Sequence, residues 1–444
     1  MKLISFRIKN FRSIIDSDWV NFSPDSVTVL VGQNESGKTS VLQALYCALS
    51  ATAITPDDKR VDAPDPTVLL RIQVEANDLV EPLEGYRPEE IAAVNEYLEL
   101  QKRTVEISCN WAPKKGASAL TEFYTTLTDP DHFSGLMAKY KDKPKKTPSS
   151  ADAAGAVLEI EDNEEESEHA SLTPSLFASA LYQPLPGATL FSAETGLLPS
   201  TVDIDEKGRP SGNGAIAARN FLTIAEVDLS KLISGDGRYR QNVLSKANQK
   251  VSQDFLSFWS QIIGAGSRLS LHCAFEHYNA SSGEKAGSPY LEFWIADGNT
   301  QLYPRQRSMG VRWFVSFYLQ LRATEKSNGQ RIFLLDEPGA NLHAKAQSDV
   351  LSLINKLKKD IPIIYSTHSP QMIEYEKIYR IRAVQRDDAM EDSPTIIIDG
   401  MRLGTASTDT LSPILAAMGS DMSNQSVVKK TRNVLLEEMS GFFT

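Results

Sequence analysis

The sequence predicts an α/β fold, and three observations support this class. The short β-branched run at residues 27–31 is typical of a buried strand, and it leads directly into a glycine-containing segment at residues 32–39. Leucines recur at helical spacing after that segment: Leu42, Leu45 and Leu49. Two later apolar runs, residues 331–335 and 361–365, read as buried strands, and polar side chains follow each of them.

The glycine-containing segment predicts a phosphate-binding loop. Residues 32–39 read G-x-x-x-x-G-K-[ST]. Gly32 and Gly37 let the backbone curl so that its N–H groups point inward, and the start of the following helix adds positive dipole. Lys38 is expected to reach the β- and γ-phosphates of a nucleotide, and the Thr39 hydroxyl to ligate Mg²⁺. The alternative is a chance glycine-rich turn. The predicted strand before the segment and the predicted helix after it favour the phosphate-binding loop.

Composition and charge narrow the classes of function. A chain of 444 residues is long enough for two or three domains, and its hydrophobic fraction of 41% is that of an ordinary globular protein. It has neither a long apolar run nor a signal-peptide pattern, which predicts a cytoplasmic protein that does not span a membrane. The three cysteines lie far apart in the sequence and suit a reducing compartment: Cys47, Cys109 and Cys273. The net charge of −11 argues against a generally basic nucleic-acid-binding surface, but it does not exclude a local basic groove.

Strand and helix patterns alternate before the second half of the site. Strand-like alternation occurs at residues 2–9, 68–74, 104–111, 269–277 and 290–295. Helical spacing occurs at residues 88–102, 221–232, 243–263 and 311–321. Three basic residues near the N-terminus are predicted to lie on a solvated face: Arg7, Lys9 and Arg12. The helical spacing at residues 221–232 and 243–263 predicts a helical subdomain between the phosphate loop and the later strands.

A charged segment at residues 140–172 interrupts these patterns. A lysine cluster precedes a run of Glu and Asp residues, and blocks of like charge with few aromatic residues usually stay disordered. The segment is expected to be either a solvated linker or an electrostatic arm that docks on a partner. We favour the linker, because charge runs are readily kept in water.

Polar side chains that follow the two later strands complete the predicted site. Asp336 and Glu337 come directly after residues 331–335, and His368 comes shortly after residues 361–365. The carboxyl ends of neighbouring strands meet at one edge of a sheet, beside the phosphate loop. We expect Asp336 to hold Mg²⁺ and Glu337 to orient and deprotonate an attacking water. His368 is expected to donate a hydrogen bond to a γ-phosphate.

Together these motifs resemble the ABC-type ATPases of the SMC, RecF and OLD group. The matching segments are residues 6–13, 32–40, 307–310, 334–338, 341–343 and 366–369. The resemblance implies an ABC-type P-loop ATPase head with mixed β-sheets and a helical insertion subdomain. It also implies ATP and Mg²⁺ as cofactors, with ATP contacts from Gly32, Asn34, Ser36, Gly37, Lys38, Thr39 and Ser40.

The same resemblance implies a homo-oligomer. In this group two heads sandwich two nucleotides, and the signature segment of one head caps the γ-phosphate held by the other. Arg307, Ser308 and Gly310 would therefore act in trans in a head-to-head dimer, although Arg307-Ser-Met-Gly310 departs from the Leu-Ser-Gly-Gly form of transporters. The expected division of the chain is a head at residues 1–80 and 285–400, an insertion at 81–284 and a tail at 401–444.

The C-terminal region predicts an ATPase without a nuclease of its own. Residues 410–419 resemble the segment that leads into the TOPRIM nuclease of OLD proteins, and residues 433–437 look like its first strand. Glu438, however, stands where glycine is expected, and residues 428–439 also fit a terminal helix.

An ATPase without its effector resembles the ATPase components of two-gene antiphage systems, PARIS first and Septu second. This implies a separate TOPRIM-like or HNH nuclease and a phage-encoded trigger protein. Two alternatives stay open: a RecF-like or SMC-like DNA-repair ATPase that clamps DNA, and a nucleotide-gated scaffold with little hydrolysis.

Overall fold

The computed structural model describes most of the chain in fourteen ranges separated by gaps. These are residues 1–113, 121–141, 171–191, 196–262, 269–297, 300–326, 331–340, 342, 344–357, 361–390, 392–400, 402, 406–407 and 410–415. Most of the charged segment and of the C-terminal tail lies outside the described residues, as do Asn341 and His343.

Seventeen strands are present in the described residues. In chain order they are β1 (Lys2–Phe11), β2 (Ile14–Asp16), β3 (Val20–Asn21), β4 (Val27–Val31), β5 (Thr67–Gln73), β6 (Thr104–Pro113), β7 (Thr121–Leu127), β8 (Gly187–Phe191), β9 (Thr201–Ile204), β10 (Pro210–Ser211), β11 (Leu269–His277), β12 (Pro289–Asp297), β13 (Thr300–Leu302), β14 (Arg331–Leu335), β15 (Ile363–Thr367), β16 (Ile381–Arg386) and β17 (Thr395–Asp399).

Nine α-helices are present in the same part of the chain. They are α1 (Lys38–Leu49), α2 (Pro88–Leu100), α3 (Pro130–Lys141), α4 (Pro174–Tyr182), α5 (Ala215–Ala225), α6 (Leu229–Ser234), α7 (Gly237–Ile262), α8 (Met309–Lys326) and α9 (Ala344–Leu357). Within the described ranges, no helix combines the length and the hydrophobicity of a membrane span.

The central sheet positions the predicted site. Its strand order is β17-β16-β4-β15-β14-β8, and all pairs are parallel except β16 with β17. The strand β15 therefore lies between β4, which leads into the phosphate loop, and β14, which ends before Asp336. Every residue of β4 and β15 is buried, as expected for a sheet covered on both faces.

Each face of the central sheet packs against a separate hydrophobic core. On β14, Phe333 and Leu335 join a core with α5, α7, α8 and the antiparallel sheet β10-β9-β12-β11. Ile332 and Leu334 point the other way, into a core with α1 and the antiparallel sheet β2-β1-β5-β6-β7. Burying one such side chain contributes about 1.5–3 kcal/mol, so the alternation on one strand fixes its register and orientation.

Two predicted elements differ from the observed ones for local reasons. The helix predicted at 221–232 is broken, because Glu226 adopts a left-handed conformation after α5 and Asp228 caps the start of α6. The strand predicted at 361–365 begins two residues later. The N–H of Ile361 still donates to α9, and Pro362 has no N–H to donate, so the ladder starts at Ile363.

The predicted insertion also contributes strands to sheets of the head. The strands β6 and β7 extend the sheet that begins with β1, and β8 pairs with β14 at the edge of the central sheet. The boundaries predicted at residues 80 and 284 therefore do not coincide with boundaries between sheets.

Candidate nucleotide-binding site

The phosphate loop connects β4 to α1 in the predicted strand–turn–helix arrangement. Gly37 has a φ of 106°, a conformation that glycine adopts far more readily than other residues. A Cβ at Gly37 would lie 2.3 Å from Thr395 Oγ1, so a side chain has no room there. At the other end, a Cβ at Gly32 would lie 2.1 Å from the carbonyl oxygen of Val384. Both glycines of the motif are thus required by close packing around the loop.

Lys38 is the buried cation of the loop, with 5% of its surface exposed. Its ammonium group donates to the carbonyl oxygens of Gly32, at 2.9 Å, and Gln33, at 2.7 Å. It also lies 3.2 Å from Glu337 Oε1. A buried ammonium group needs such partners because desolvation otherwise penalises its charge.

The two predicted metal ligands are in direct contact. The Thr39 hydroxyl donates to Asp336 Oδ2 at 2.8 Å, and the Ser366 hydroxyl donates to Asp336 Oδ1 at 2.6 Å. The carboxylate is thereby held between the end of β15 and the start of α1. Mg²⁺ in nucleotide sites is usually held by one or two protein oxygens together with phosphate oxygens and water. Thr39 and Asp336 supply a donor set of this kind.

Glu337 bridges the phosphate loop and the loop after β15. Its Oε2 lies 2.9 Å from Nδ1 of His368, while its Oε1 faces Lys38. Its backbone N–H donates to the Ser366 hydroxyl at 2.7 Å, and its φ is 47°, which is uncommon for a residue with a side chain. The strand order thus brings all three predicted residues, Lys38, Glu337 and His368, into one contact network.

Residues from the N-terminal region and from β16 and β17 form a wall beside the phosphate loop. Thr395 is fully buried, and its hydroxyl donates to the carbonyl oxygen of Ser36 at 2.9 Å and accepts from Ser13 at 2.8 Å. Arg386 Nε donates to the carbonyl oxygen of Glu35 at 3.1 Å. None of these contacts has a local sequence signal, because strand pairing alone brings the residues together.

A cavity of about 380 Å³ opens beside the start of α1. Arg12 and Arg386 line it, together with residues of the phosphate loop. Arg12 was predicted to lie on a solvated face, but it is only partly exposed and donates to Asp58 Oδ1 at 2.8 Å. Burial opposes ionisation of Asp58, but hydrogen bonds from Thr55 and Arg12 outweigh it and hold the pKa of Asp58 below its ordinary value of 3.8.

The signature-like segment lies at the start of α8. Arg307 Nη2 donates to the carbonyl oxygen of Ile295 at 2.7 Å, so its side chain is anchored to β12. Ser308 is exposed and its hydroxyl accepts from the N–H of Val311 at 3.4 Å. A Cβ at Gly310 would lie 2.9 Å from Leu342 Cδ2, which connects the segment to the loop that follows β14. Within one chain, the residues of this segment contact β12, Val311 and Leu342, which lie outside the phosphate loop.

The loop fits a bound phosphate group. The Ser36 hydroxyl is buried and has no hydrogen-bond partner among the described residues, although buried polar groups are normally paired. It lies in a loop that combines a left-handed glycine, a buried lysine and a helix N-terminus, and these features together favour an anion. Asn34 and Thr39 are exposed at the loop surface, and Ser40 is buried in the first turn of α1.

This fold and this constellation define a P-loop nucleotide-binding protein. The chain belongs to the AAA ATPase domain family AAA_15, whose model matches residues 1–174 and 220–373. The family match and the order of strands around the loop confirm the predicted fold class, an ABC-type P-loop ATPase head with mixed β-sheets.

One curated relative is similar to a short part of the chain, and two solved structures are similar to most of it. The chain is 28% identical over 88 residues to the uncharacterised protein MJECL43 of Methanocaldococcus jannaschii, and this match covers 19% of the chain and 23% of that relative. The chain thus spans less than a quarter of that protein's length. An SMC head bound to the C-winged helix domain of ScpA is 14% identical with a TM-score of 0.41, covering 90% of this chain and 97% of that one. The SMC head domain of Thermotoga maritima is 14% identical with a TM-score of 0.39, covering 90% and 99% respectively. Likenesses at this level carry no functional inference.

Proposed function

We propose that this protein binds ATP with Mg²⁺ and hydrolyses it to ADP and phosphate. The observation that carries the proposal is the position of Glu337, which lies between Lys38 and His368 and next to the Thr39–Asp336 pair. A base, a cation, a metal-binding pair and a second donor are the components that phosphoryl transfer to water requires.

Each side chain has a definite task in this proposal. When bound, Mg²⁺ would polarise the phosphate group of ATP, and Thr39 with Asp336 would hold the metal. Lys38 exchanges its ion pair with Glu337 for the phosphates, which frees the Glu337 carboxylate to accept a proton from water. His368, whose backbone N–H lies 3.3 Å from Glu337 Oε2, orients that carboxylate and donates toward the γ-phosphate.

Two substitutions test hydrolysis separately from binding. Lys38→Ala should abolish ATP binding, whereas Glu337→Gln should keep binding and lower turnover by about 10²–10⁴-fold, the usual contribution of a general base. The matched control is Glu376→Gln, because Glu376 is an exposed carboxylate outside the site. Turnover is measured as phosphate release and binding by calorimetry.

Normal turnover by Glu337→Gln would show that another group is the base. ATP binding with negligible turnover by the unaltered protein would favour the nucleotide-gated scaffold.

We also propose that two heads share their sites, with Arg307, Ser308 and Gly310 acting in trans. The exposed start of α8 supports this, since a helix N-terminus favours an anion presented by a partner. Lys38→Ala and Ser308→Arg should each be inactive alone. In an equal mixture, random pairing of the two variants in a two-fold dimer should restore about a quarter of the original activity. An inactive mixture that still forms mixed dimers would exclude the shared arrangement.

The finer role rests on the resemblance to antiphage ATPases. We propose that the chain is the sensor and scaffold of such a system and that it holds and releases a separate TOPRIM-like or HNH nuclease. The test is affinity purification of the tagged chain co-expressed with its neighbouring genes, with ATP and after nucleotide removal. A stoichiometric nuclease partner supports the proposal. Recovery of the chain with nucleic acid, in a salt-sensitive and ATP-dependent complex, would instead support the RecF-like or SMC-like DNA clamp.

A further inference from the structure

A buried glutamine joins the two loops that carry Glu337 and His368. Gln347 lies in the first turn of α9 with 7% of its surface exposed. Its side-chain amide donates to the carbonyl oxygen of Gly339 at 2.9 Å and accepts from the Ser369 hydroxyl at 2.7 Å. Gly339 follows Glu337 by two residues, and Ser369 directly follows His368. One side chain therefore connects the segment after β14 with the segment after β15.

The loop that Gln347 holds is compact. The N–H of Ala340 donates to the carbonyl oxygen of Glu337, and the N–H of Leu342 donates to that of Gly339 at 2.8 Å. Gly339 itself has a φ of 76° and packs against Leu342 and Gln347, at 3.3 Å and 3.5 Å from an ideal Cβ. A displacement of the Gly339 carbonyl would therefore move the backbone that leads to Glu337.

The same loop contacts the start of α8. Leu342 fills the space in front of Gly310, where a Cβ would lie 2.9 Å from Leu342 Cδ2. The contacts thus form a continuous path from Ser369 through Gln347 and Gly339 to Leu342 and Gly310. The path joins the loop beside the phosphate-binding site to the segment proposed to face a partner head.

We propose that Gln347 is a positioning residue that fixes the Glu337 loop relative to His368 and transmits the position of that pair to the start of α8. This rests on the proposed ATP hydrolysis. The side chain acts through the two loops, since its contacts are with Gly339 and Ser369. Because a misplacement of reacting groups by about 1 Å costs on the order of 10²-fold in rate, a modest shift of the loop is sufficient.

The alternative is that Gln347 only stabilises the fold, and a comparison of variants separates the two. Gln347→Leu keeps the volume and removes both hydrogen bonds, and Ser369→Ala removes one. The matched control is Gln371→Leu: Gln371 is an exposed glutamine that accepts from the same Ser369 hydroxyl, at 3.0 Å, and is not hydrogen-bonded to Gly339 in the described part of the chain.

Hydrolysis should respond more than binding. We expect Gln347→Leu to lower kcat at least tenfold and to change the Kd for the non-hydrolysable analogue AMP-PNP with Mg²⁺ by less than threefold. Ser369→Ala should lower kcat less, and the double variant should be no slower than Gln347→Leu alone, because both act through one link. Gln371→Leu should be unaffected. Unchanged kcat in a folded Gln347→Leu, or losses that add in the double variant, would overturn the proposal.

Hydrogen exchange tests the link without hydrolysis. In the presence of AMP-PNP and Mg²⁺, peptides covering residues 337–342 and 308–312 should exchange faster in Gln347→Leu and in Ser369→Ala than in the unaltered protein. Peptides from β11 should not change. If the unaltered protein does not hydrolyse ATP, the proposed function fails, while this measurement still decides the link. Equal exchange at both segments in a folded variant would exclude the link.

Discussion

At the scale of single residues, the site is defined by ionic and hydrogen-bonded pairs that bound nucleotide would replace under the proposed function. Lys38 and Glu337 face each other at 3.2 Å, and Thr39 donates directly to Asp336. The phosphates and the metal would replace both contacts. Each residue of these pairs was predictable, because it belongs to a short motif at the end of an apolar run. Thr395 and Gln347 were not predictable, since their partners lie far away in the sequence or in loops whose geometry the motif does not specify.

A comparison of alanine substitutions at Gly37 and Gly85 separates the effect of a steric clash from the effect of a strained backbone. Gly37→Ala places a Cβ 2.3 Å from Thr395 Oγ1 at a φ of 106°, whereas Gly85→Ala has a φ of 91° and nothing within 4 Å. Both variants should lose about 1–2 kcal/mol of stability from the left-handed backbone. Only Gly37→Ala should also lose ATP affinity, by at least about tenfold, because its loop must move.

Calorimetric titration with ATP and Mg²⁺, together with thermal melts, checks this prediction. If Gly37→Ala and Gly85→Ala bound ATP equally well, the contact with Thr395 would be irrelevant to the loop.

At the scale of elements, strand order decides which motifs meet. The strand β15 lies between β4 and β14, so three segments far apart in sequence end at one edge of the sheet. Hydrophobic pattern predicted these strands, since their residues are almost all buried. The same pattern could not predict that β8 pairs with β14, because hydrophobic residues show that a segment is a strand but do not show which strand lies beside it. It also missed the break between α5 and α6, where one left-handed residue interrupts an otherwise continuous apolar stripe.

The helix α7 covers the open edge of β11 with side chains. Asn248 pairs with both backbone groups of Cys273, and Ser252 does the same for Leu271. Asn248→Ala should therefore destabilise the protein by about 1–3 kcal/mol, the cost of leaving such buried groups unpaired. Gln249→Ala, at the exposed neighbouring position, should change stability by less than about 0.5 kcal/mol.

Urea denaturation of the two variants measures the difference. Equal unfolding midpoints would mean that water replaces the Asn248 amide at this edge.

At the scale of the whole molecule, two cores on opposite faces of one sheet hold the head together, and a partly buried ion pair between Asp254 and Arg322 connects two of its helices. Burial opposes ionisation of Asp254 on α7, but hydrogen bonds from Arg322 and Tyr318 on α8 outweigh it and hold the pKa of Asp254 below its ordinary value of 3.8. The unfolded chain then binds a proton at higher pH than the folded one. The resulting stabilisation is present above about pH 4 and is lost as the pH falls through the folded pKa.

Asp254→Asn should consequently lower the free energy of unfolding by about 1–3 kcal/mol at pH 7, because hydrogen bonds to a charged group are lost. The difference from the unaltered protein should shrink as the pH falls below about 4, the ordinary pKa of an aspartate. Denaturation at a series of pH values measures it, and a difference that stays constant as the pH falls would show that the Asp254 charge is not responsible.

The pairing of Ser13 with Thr395 has a consequence for biosynthesis. The two residues are 382 positions apart, and both contribute to the wall behind the phosphate loop. A ribosome that adds roughly 5–20 residues per second needs about 20 to 80 s to make the chain between them. For most of that time the emerging chain carries the complete Gly32–Thr39 motif without β17, which contributes Thr395 to the wall behind the loop. The hydrogen bonds that join Thr395 to Ser36 and Ser13 can therefore form only after β17 has left the ribosome, so the loop is braced late in synthesis.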